Sequence, residues 1–260
     1  MNDILKSFSL KGKVALMTGG AGLYGRQIVE ALAEAGAKTF MASRNLSELK
    51  KVEAYHRERG EDVTALQYDQ GEEQSILFLR DQILGTAGKI DVLVNNSVLR
   101  PMKGAYQDKA ETFAASMRVN ATGLFIITRA VGDAMTNGGS IINIGSIHGL
   151  IGPDPANYRG TNMTGFYPDY FFHKGGMVNY TRFLASYYGS RGVRCNCIHP
   201  GGVVTDKMPE AFIRQYCDHT CLGRLANDTD LKGIIVFLAS DASVYVTGAN
   251  IPVDGGYTVK

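Results

Sequence analysis

Short apolar runs rich in β-branched residues alternate with longer segments of helical period along almost the whole chain. The runs predict strands at Lys13–Thr18, Thr39–Ser43, Val63–Tyr68, Val92–Asn95, Ser140–Gly145, Val193–His199 and Asn250–Val253. Helical patterns over Leu23–Ala35, Leu46–Arg59, Glu72–Leu84, Asp108–Met135, Tyr170–Tyr188 and Asp228–Leu238 separate them. Runs such as Val14-Ala15-Leu16-Met17 and Val92-Leu93-Val94 are apolar throughout, the pattern of a parallel sheet covered on both faces. Regular strand–helix alternation with short connections implies right-handed crossovers and an α/β, doubly wound, seven-stranded parallel sheet flanked by helices. Ligands then bind beyond the carboxyl ends of the strands. No linker, repeat or charge block interrupts the pattern, so residues 1–260 are expected to form one domain. Irregular segments at 97–107, 147–169 and 206–225 are the expected substrate loops.

The composition fits a chain with a sizeable core: 45% of the 260 residues are hydrophobic and 20% charged. Twenty-seven basic against 25 acidic residues leave a net charge of +2, which gives no electrostatic case for nucleic acid or membrane binding. Apolar runs such as Gly233–Ala239 fall far below the roughly 20 residues of a spanning helix. Met1–Lys13 carries no apolar leader core, and a cytoplasmic location is expected. Cys195 and Cys197 fall in a strand, where they are expected to point to opposite faces; Cys217 and Cys221 stand four apart around His219. Buried reduced thiols are expected of these cysteines, with no metal site.

The first strand runs into Thr18-Gly19-Gly20-Ala21-Gly22-Leu23-Tyr24-Gly25 and then a helix. Gly20, Gly22 and Gly25 satisfy G-x-G-x-x-G in the strand–turn–helix context that presents amides and a helix dipole to a dinucleotide pyrophosphate. This makes the sheet Rossmann-type. The second strand ends Ser43-Arg44-Asn45 without the carboxylate that grips a ribose 2′-hydroxyl. Arg44 and Ser43 suit a 2′-phosphate instead, favouring NADP over NAD.

Tyr170 and Lys174 stand four apart on one helical face, where an ammonium favours the phenolate and fits the tyrosine for proton exchange with an alcohol or carbonyl. With the segments around it, the chain resembles the short-chain dehydrogenase/reductase family over nearly its full length. The matches are Thr18–Gly25, Asp69, Asn95-Asn96, Asn120 in Val119-Asn120-Ala121-Thr122-Gly123, Asn143–Ser146, Tyr170 with Lys174, and His199–Thr205. Val253-Asp254-Gly255-Gly256-Tyr257 resembles family members that form tetramers, so a homotetramer is implied, with Asp254 and Tyr257 serving subunit contacts.

The resemblance implies a catalytic tetrad of Asn120, Ser146, Tyr170 and Lys174. Tyr170 would move the proton, Ser146 would hold the reacting oxygen, Lys174 would bind the nicotinamide ribose, and Asn120 would hold a relay water. The cofactor would lie along Gly19, Gly20, Gly22, Leu23, Tyr24, Gly25, Ser43, Arg44, Asp69, Gln70, Asn96, Pro200, Gly201, Val203 and Thr205. Three departures stand out. Leu23 replaces the family's middle glycine, Ser97-Val98 replaces Ala-Gly, and Tyr158 occupies the usual spacing from Ser146 but is followed four residues on by Asn162. An insertion within Pro155–Pro168 therefore places the active phenol at Tyr170.

The loops bring Arg100, Met102, His148, Tyr158, Arg159, Asn162, Tyr167, His173, His199 and Met208 to the expected pocket. Their polarity suits a small polyhydroxylated substrate (sugar, sugar acid or polyol), with Arg100, His148 and Arg159 as candidate contacts. The implied activity is NAD(P)-dependent interconversion of a secondary alcohol and a ketone. A nucleotide-sugar epimerase or dehydratase and a non-catalytic dinucleotide sensor are the alternatives.

Overall fold

The computed structural model describes residues 3–260; Met1 and Asn2, at the start of the segment read for a leader, lie outside them. The chain runs α1 (Ile4–Ser7), β1 (Val14–Thr18), α2 (Leu23–Glu34), β2 (Lys38–Ser43), α3 (Leu46–Glu58), β3 (Val63–Gln67), α4 (Glu73–Ala87) and β4 (Val92–Asn95). It continues through α5 (Ala110–Met117), a π turn (Arg118–Gly123), α6 (Leu124–Ala134), β5 (Gly139–Ile144), α7 (Pro168–Tyr188), β6 (Val193–Pro200), α8 (Glu210–His219), α9 (Lys232–Ala239) and β7 (Asn250–Val253). All seven expected strands form, in one sheet of order β3-β2-β1-β4-β5-β6-β7 with every pair parallel. The order reverses between β1 and β4, where the loops after the two strands part and open a crevice at the carboxyl edge.

Side-chain alternation divides the core into two layers. Ala15, Met17, Val92, Val94, Ile142 and Ile198 pack under α2, α3 and α9, while Leu16, Leu93, Ile141, Val193 and Cys195 pack under α4, α6 and α7. Across β1 both layers receive apolar residues, Val14 to Met17, and all five of its residues are buried. This is why the strand reads as a continuous hydrophobic run. A third cluster, Ile147, Phe212, Tyr216, Leu225 and Tyr257, sits beyond the carboxyl edge and receives Tyr158, Met163 and Met208 from the loops. Among the described residues no helix is long and apolar enough to cross a membrane.

Several expectations need correction. The two strand cysteines share one face: residues two apart on a strand point the same way, and the Cys195 and Cys197 thiols lie with Asn143 and Thr181 on the α7 side. All four cysteines are free; Cys195 and Cys197 are buried, Cys217 is half-buried and Cys221 is exposed. The continuous helix expected over Asp108–Met135 breaks at the π turn, where Gln70 Nε2 donates to the freed Val119 carbonyl. There Gly123 packs so closely that a Cβ would lie 2.1 Å from the Gln70 carbonyl oxygen.

The last helix starts at Lys232 and not at Asp228, because Asn227 accepts from the Thr229 and Asp230 amides and holds a turn. α8 was expected only as the helical spacing of Cys217 and Cys221; it ends at His219 and leaves Cys221 outside. Asp254 and Tyr257 make contacts inside the chain. Asp254 accepts from the Gly256 and Thr258 amides, and the buried Tyr257 stacks on Tyr216 at 4.7 Å.

The glycine loop has a division of labour that its motif does not reveal. The left-handed residue is Gly19, at φ +77°. Gly20 faces Met41, Gly25 lies under Gly19, and Gly22, in ordinary extended backbone at φ −75°, caps α2 where a Cβ would make only an ordinary 3.6 Å contact with the Gly19 carbonyl oxygen. A Cβ on Gly25 would approach the Gly19 carbonyl oxygen to 2.2 Å. Gly25→Ala is expected to cost about 3 kcal/mol. Thermal denaturation should show this as a fall in Tm of roughly 6–12 °C, while Gly22→Ala stays within about 0.5 kcal/mol of the parent.

Candidate active site

The crevice has two connected halves. One, of about 320 Å3, is lined by Gly19, Gly22, Ser43, Arg44, Tyr68, Asp69, Gln70, Asn96 and Val98 at the ends of β1 to β4. The N-terminus of the twelve-residue α2 faces it, and no side chain caps that helix end. Asn96 holds the loop in place: its backbone amide donates to Thr18 Oγ1, and its Nδ2 donates to the Thr18 and Gly19 carbonyls at 3.2 and 3.1 Å. The buried Tyr68 hydroxyl donates to Gln70 and sits 3.0 Å from Ser97, so the serine in place of the family's alanine joins a buried polar contact. An open helix N-terminus and a glycine turn beside a cleft of this length fit a dinucleotide.

The other half, of about 430 Å3, contains Ser146, Tyr170 and Lys174 together with Leu23, Tyr24, Arg100, His148, Tyr158, Tyr167, Met208, Phe212 and Tyr216. Pro200, Gly201 and Val203 close one side, and Tyr24 donates across to the Gly201 carbonyl at 2.5 Å. Gly20 and Thr205 are not in the lining of either half. Leu23 and Val98, where the family carries glycines, both line the second half and are 66% and 43% exposed.

Each reacting side chain is placed by regular structure. Ser146 follows β5 and its hydroxyl accepts from the His148 amide at 3.2 Å. Tyr170 and Lys174 project from successive turns of α7, with the Lys174 ammonium 5.8 Å from the phenol ring centre. Lys174 is buried and donates to the Ile144 carbonyl at 2.5 Å. Burial alone would raise the Tyr170 phenol, but Lys174, Arg100 and the Ser146 hydroxyl outweigh it and hold it below the usual tyrosine range. Burial likewise lowers the Lys174 ammonium, opposed by Tyr170. Tyr158 differs: burial and neighbouring tyrosines push its phenol up to about 12, and it packs against Phe212 and Phe166.

Asn120 sits in the π turn with its side chain fully engaged. Oδ1 accepts from Leu99 N–H at 2.8 Å, and Nδ2 donates to the Leu99 carbonyl and to Ser116 Oγ at 2.7 and 2.9 Å. These bonds tie the Asn120 side chain to the loop after β4. Ser116 in turn donates to Asp169 Oδ2 at 2.5 Å.

Of the expected substrate contacts, Arg100 stacks on Tyr170 with its guanidinium carbon 4.1 Å from the ring centre. His148 stacks on Phe171 at 4.6 Å, and burial followed by Arg100 lowers it to about 4. Arg159 and Asn162 are exposed and outside the lining, Met102 and His173 are buried outside it, and His199 lies beneath Ser146 with a ring nitrogen 3.0 Å from its carbonyl. Sequence reading missed Met163, Phe212 and Tyr216, and expected Tyr24 along the cofactor only. Phe212 and Tyr216 have the i, i+4 apolar spacing of an amphipathic helix, a signal present within 206–225. No cluster of His, Cys, Asp or Glu among the described residues could hold a metal ion.

Comparison with known proteins adds relatives to this geometry. A family model described as "Enoyl-(Acyl carrier protein) reductase" matches residues 22–258. Galactitol 2-dehydrogenase (L-tagatose-forming) of Cereibacter sphaeroides is 32% identical over 265 residues, covering 99% of each chain. D-threitol dehydrogenase of Mycolicibacterium smegmatis is 31% identical over 262 residues, 97% of this chain and 95% of that protein. The crystal structure of a gluconate 5-dehydrogenase from Burkholderia cenocepacia in complex with NADP and tartrate superposes with a TM-score of 0.88 at 28% identity, covering 99% of this chain and all of that one.

The site predicts an anomalous phenol. Ultraviolet titration of wild type minus Tyr170→Phe should isolate one tyrosine that ionises below the ordinary value of about 10. Lys174→Met removes the cation that favours the phenolate, so the same difference titration should move upward.

Proposed function

The chain belongs to the short-chain dehydrogenase/reductase family, and from that premise we propose that Ser146, Tyr170 and Lys174 handle the proton while a secondary alcohol of a small polyhydroxylated compound is interconverted with its ketone. The protein is an NAD(P)-dependent oxidoreductase acting on CH–OH groups. One observation carries the assignment of roles. Among the tyrosines of the reacting half, burial pushes Tyr24, Tyr158 and Tyr216 up, whereas Tyr170 is held down. A phenol poised for deprotonation beside a serine hydroxyl and an ammonium is the arrangement that proton exchange with an alcohol needs.

When bound, the nicotinamide supplies the hydride chemistry, accepting a hydrogen with its electron pair in oxidation and returning it in reduction. In oxidation the Tyr170 phenolate takes the hydroxyl proton, the carbinol hydrogen departs with the electrons of its C–H bond, and the O–H electron pair closes the carbonyl. In reduction Tyr170 returns the proton to the carbonyl oxygen. Ser146 donates to that oxygen and holds the charge it develops. Lys174 stabilises the phenolate, and its ammonium is the group that would meet the ribose hydroxyls. Asn120 acts through the loop it anchors.

The substrate class rests on the relatives' polyol and sugar-acid activities and on a lining that mixes Arg, His and Tyr. Arg44, exposed at the end of β2 and lining the other half of the crevice, would meet a 2′-phosphate and favour NADP. Residues 1–260 would act as one cytoplasmic domain with substrate loops at 97–107, 147–169 and 206–225. The exposed Phe172, Phe183 and Tyr187 on α7 suit a partner copy, in keeping with a homotetramer.

Absorbance at 340 nm with pooled polyols, sugars and sugar acids, run with NADP and NAD, tests this reading. Tyr170→Phe should lose about 10²–10⁴-fold in kcat, whereas Tyr158→Phe keeps turnover; full activity in Tyr170→Phe would overturn it. Arg44→Ser should weaken NADP use at least about tenfold relative to NAD.

A further inference from the structure

We propose that Arg100 is the cation that selects a polyhydroxy acid, binding a carboxylate carried close to the reacting carbinol, and that this contact couples substrate charge to proton transfer at Tyr170. The inference rests on reading Tyr170 as the proton-transfer residue and goes beyond it in naming the charge of the substrate and the group that reads it.

The lining of the reacting half contains two permanent cations, Arg100 and Lys174, and no carboxylate. Lys174 is committed to Tyr170 and the Ile144 carbonyl. Arg100 is exposed, pairs with no carboxylate among the described residues, and lies face-on against the phenol. A planar guanidinium is built for bidentate recognition of a carboxylate. Besides holding the phenol down, an unpaired guanidinium beside the reacting hydroxyl can read an anionic group on the substrate. Its position over the Tyr170 ring brings any bound carboxylate close to the carbon that Tyr170 serves.

The placement is built into the fold. The buried chain Asp169–Ser116–Asn120–Leu99 runs from the residue before Tyr170 to the residue before Arg100. Asp169, Ser116 and Asn120 are all within 4% exposure, so the chain is shielded from water. It fixes the two reacting neighbours relative to each other through their backbones. The groups facing Tyr170 are Lys174 and His173 from α7, His148 from the segment after β5, Tyr24 from α2 and Arg100 from the loop after β4. Burial keeps both histidines neutral, at about 4 for His148 and about 3 for His173. Arg100 is thus the one cation of this set that a substrate can neutralise without displacing the phenol's own partner. Neutralising it removes one of the influences that hold Tyr170 down, so the phenol ionises at higher pH in the acid complex than in the free enzyme.

Calorimetric titration of NADP-loaded protein with threonate, xylonate, gluconate and galactonate, against the alditols of the same skeletons, tests the selectivity. The expected result is that at least one aldonate binds about 100-fold more tightly than its alditol and that Arg100→Gln abolishes the difference, with partial rescue in Arg100→Lys. Arg159→Gln, whose side chain lies outside the crevice, serves as the control and should keep the preference. The wild-type minus Tyr170→Phe ultraviolet titration tests the coupling. The phenol should rise by several tenths of a pH unit to about one unit when the aldonate is added. It should stand equally high in Arg100→Gln with or without aldonate. Ser116→Ala, in the positioning chain, should move it part of the way. Equal binding of every aldonate and alditol, or unchanged selectivity in Arg100→Gln, overturns the inference and leaves the oxidoreductase reading intact. Full turnover in Tyr170→Phe removes both.

Discussion

A buried ammonium governs this site. Lys174 lies 4% exposed at the carboxyl edge of the sheet, where an isolated charge would cost several kcal/mol. The fold meets that cost with two neighbours: the Ile144 carbonyl at the end of β5, and the Tyr170 phenol one turn earlier on the same helix. The pairing works in both directions. The phenol opposes the effect of burial on the lysine, and the lysine helps hold the phenol below its usual range. Ser146 enters because it follows the same strand that supplies the carbonyl. Sheet register, helix periodicity and proton chemistry therefore meet at one residue.

Much of this was legible in the chain itself. Central strands such as β1 and β4 announce themselves as apolar runs because both faces are covered, and the Tyr170–Lys174 spacing is a local, helical fact. The sequence already separated Tyr170 from Tyr158, since only Tyr170 has a cation four residues on. The structure adds the physical contrast, with one phenol held down by cations and the other pushed up by burial among aromatics. What spacing could not show is contact across the fold. The segment 155–158 docks on α8 through Tyr158 on Phe212 and on the C-terminal segment through Asn157 on Tyr257, pairs distant in sequence. Those contacts place Tyr158 in the pocket wall and leave Arg159 and Asn162 outside it.

The misread details share a cause as well. The glycine motif identifies the loop but not which glycine does what: the turn needs Gly19, and Gly25 makes room for a carbonyl oxygen, which only three-dimensional contact reveals. The break in the helix over Asp108–Met135 follows from the demands of Gln70 and Leu99 on the π turn, again from outside the segment. The cysteine assignment failed for a simpler reason. Strand periodicity places residues two apart on the same face, and the layer division across β6 obeys it.

Net charge and local charge carry different information here. A total of +2 spread over 260 residues argues against polyanionic partners, because no long-range field exists to gather phosphates. Within the reacting half of the crevice, however, two cations stand without a carboxylate, and both bear on one phenol. At that range attraction depends on the few groups within one screening length of roughly 8–10 Å and not on the sum over the surface. A small anion reaching Tyr170 therefore meets a positive site inside a nearly neutral protein. The surrounding aromatic wall of Tyr158, Phe212 and Tyr216 lowers the local dielectric and strengthens that contrast. The same wall limits the size of what can enter. Charge recognition and proton transfer thus draw on one guanidinium, which the buried chain from Asp169 to Leu99 keeps in register with the phenol it adjusts.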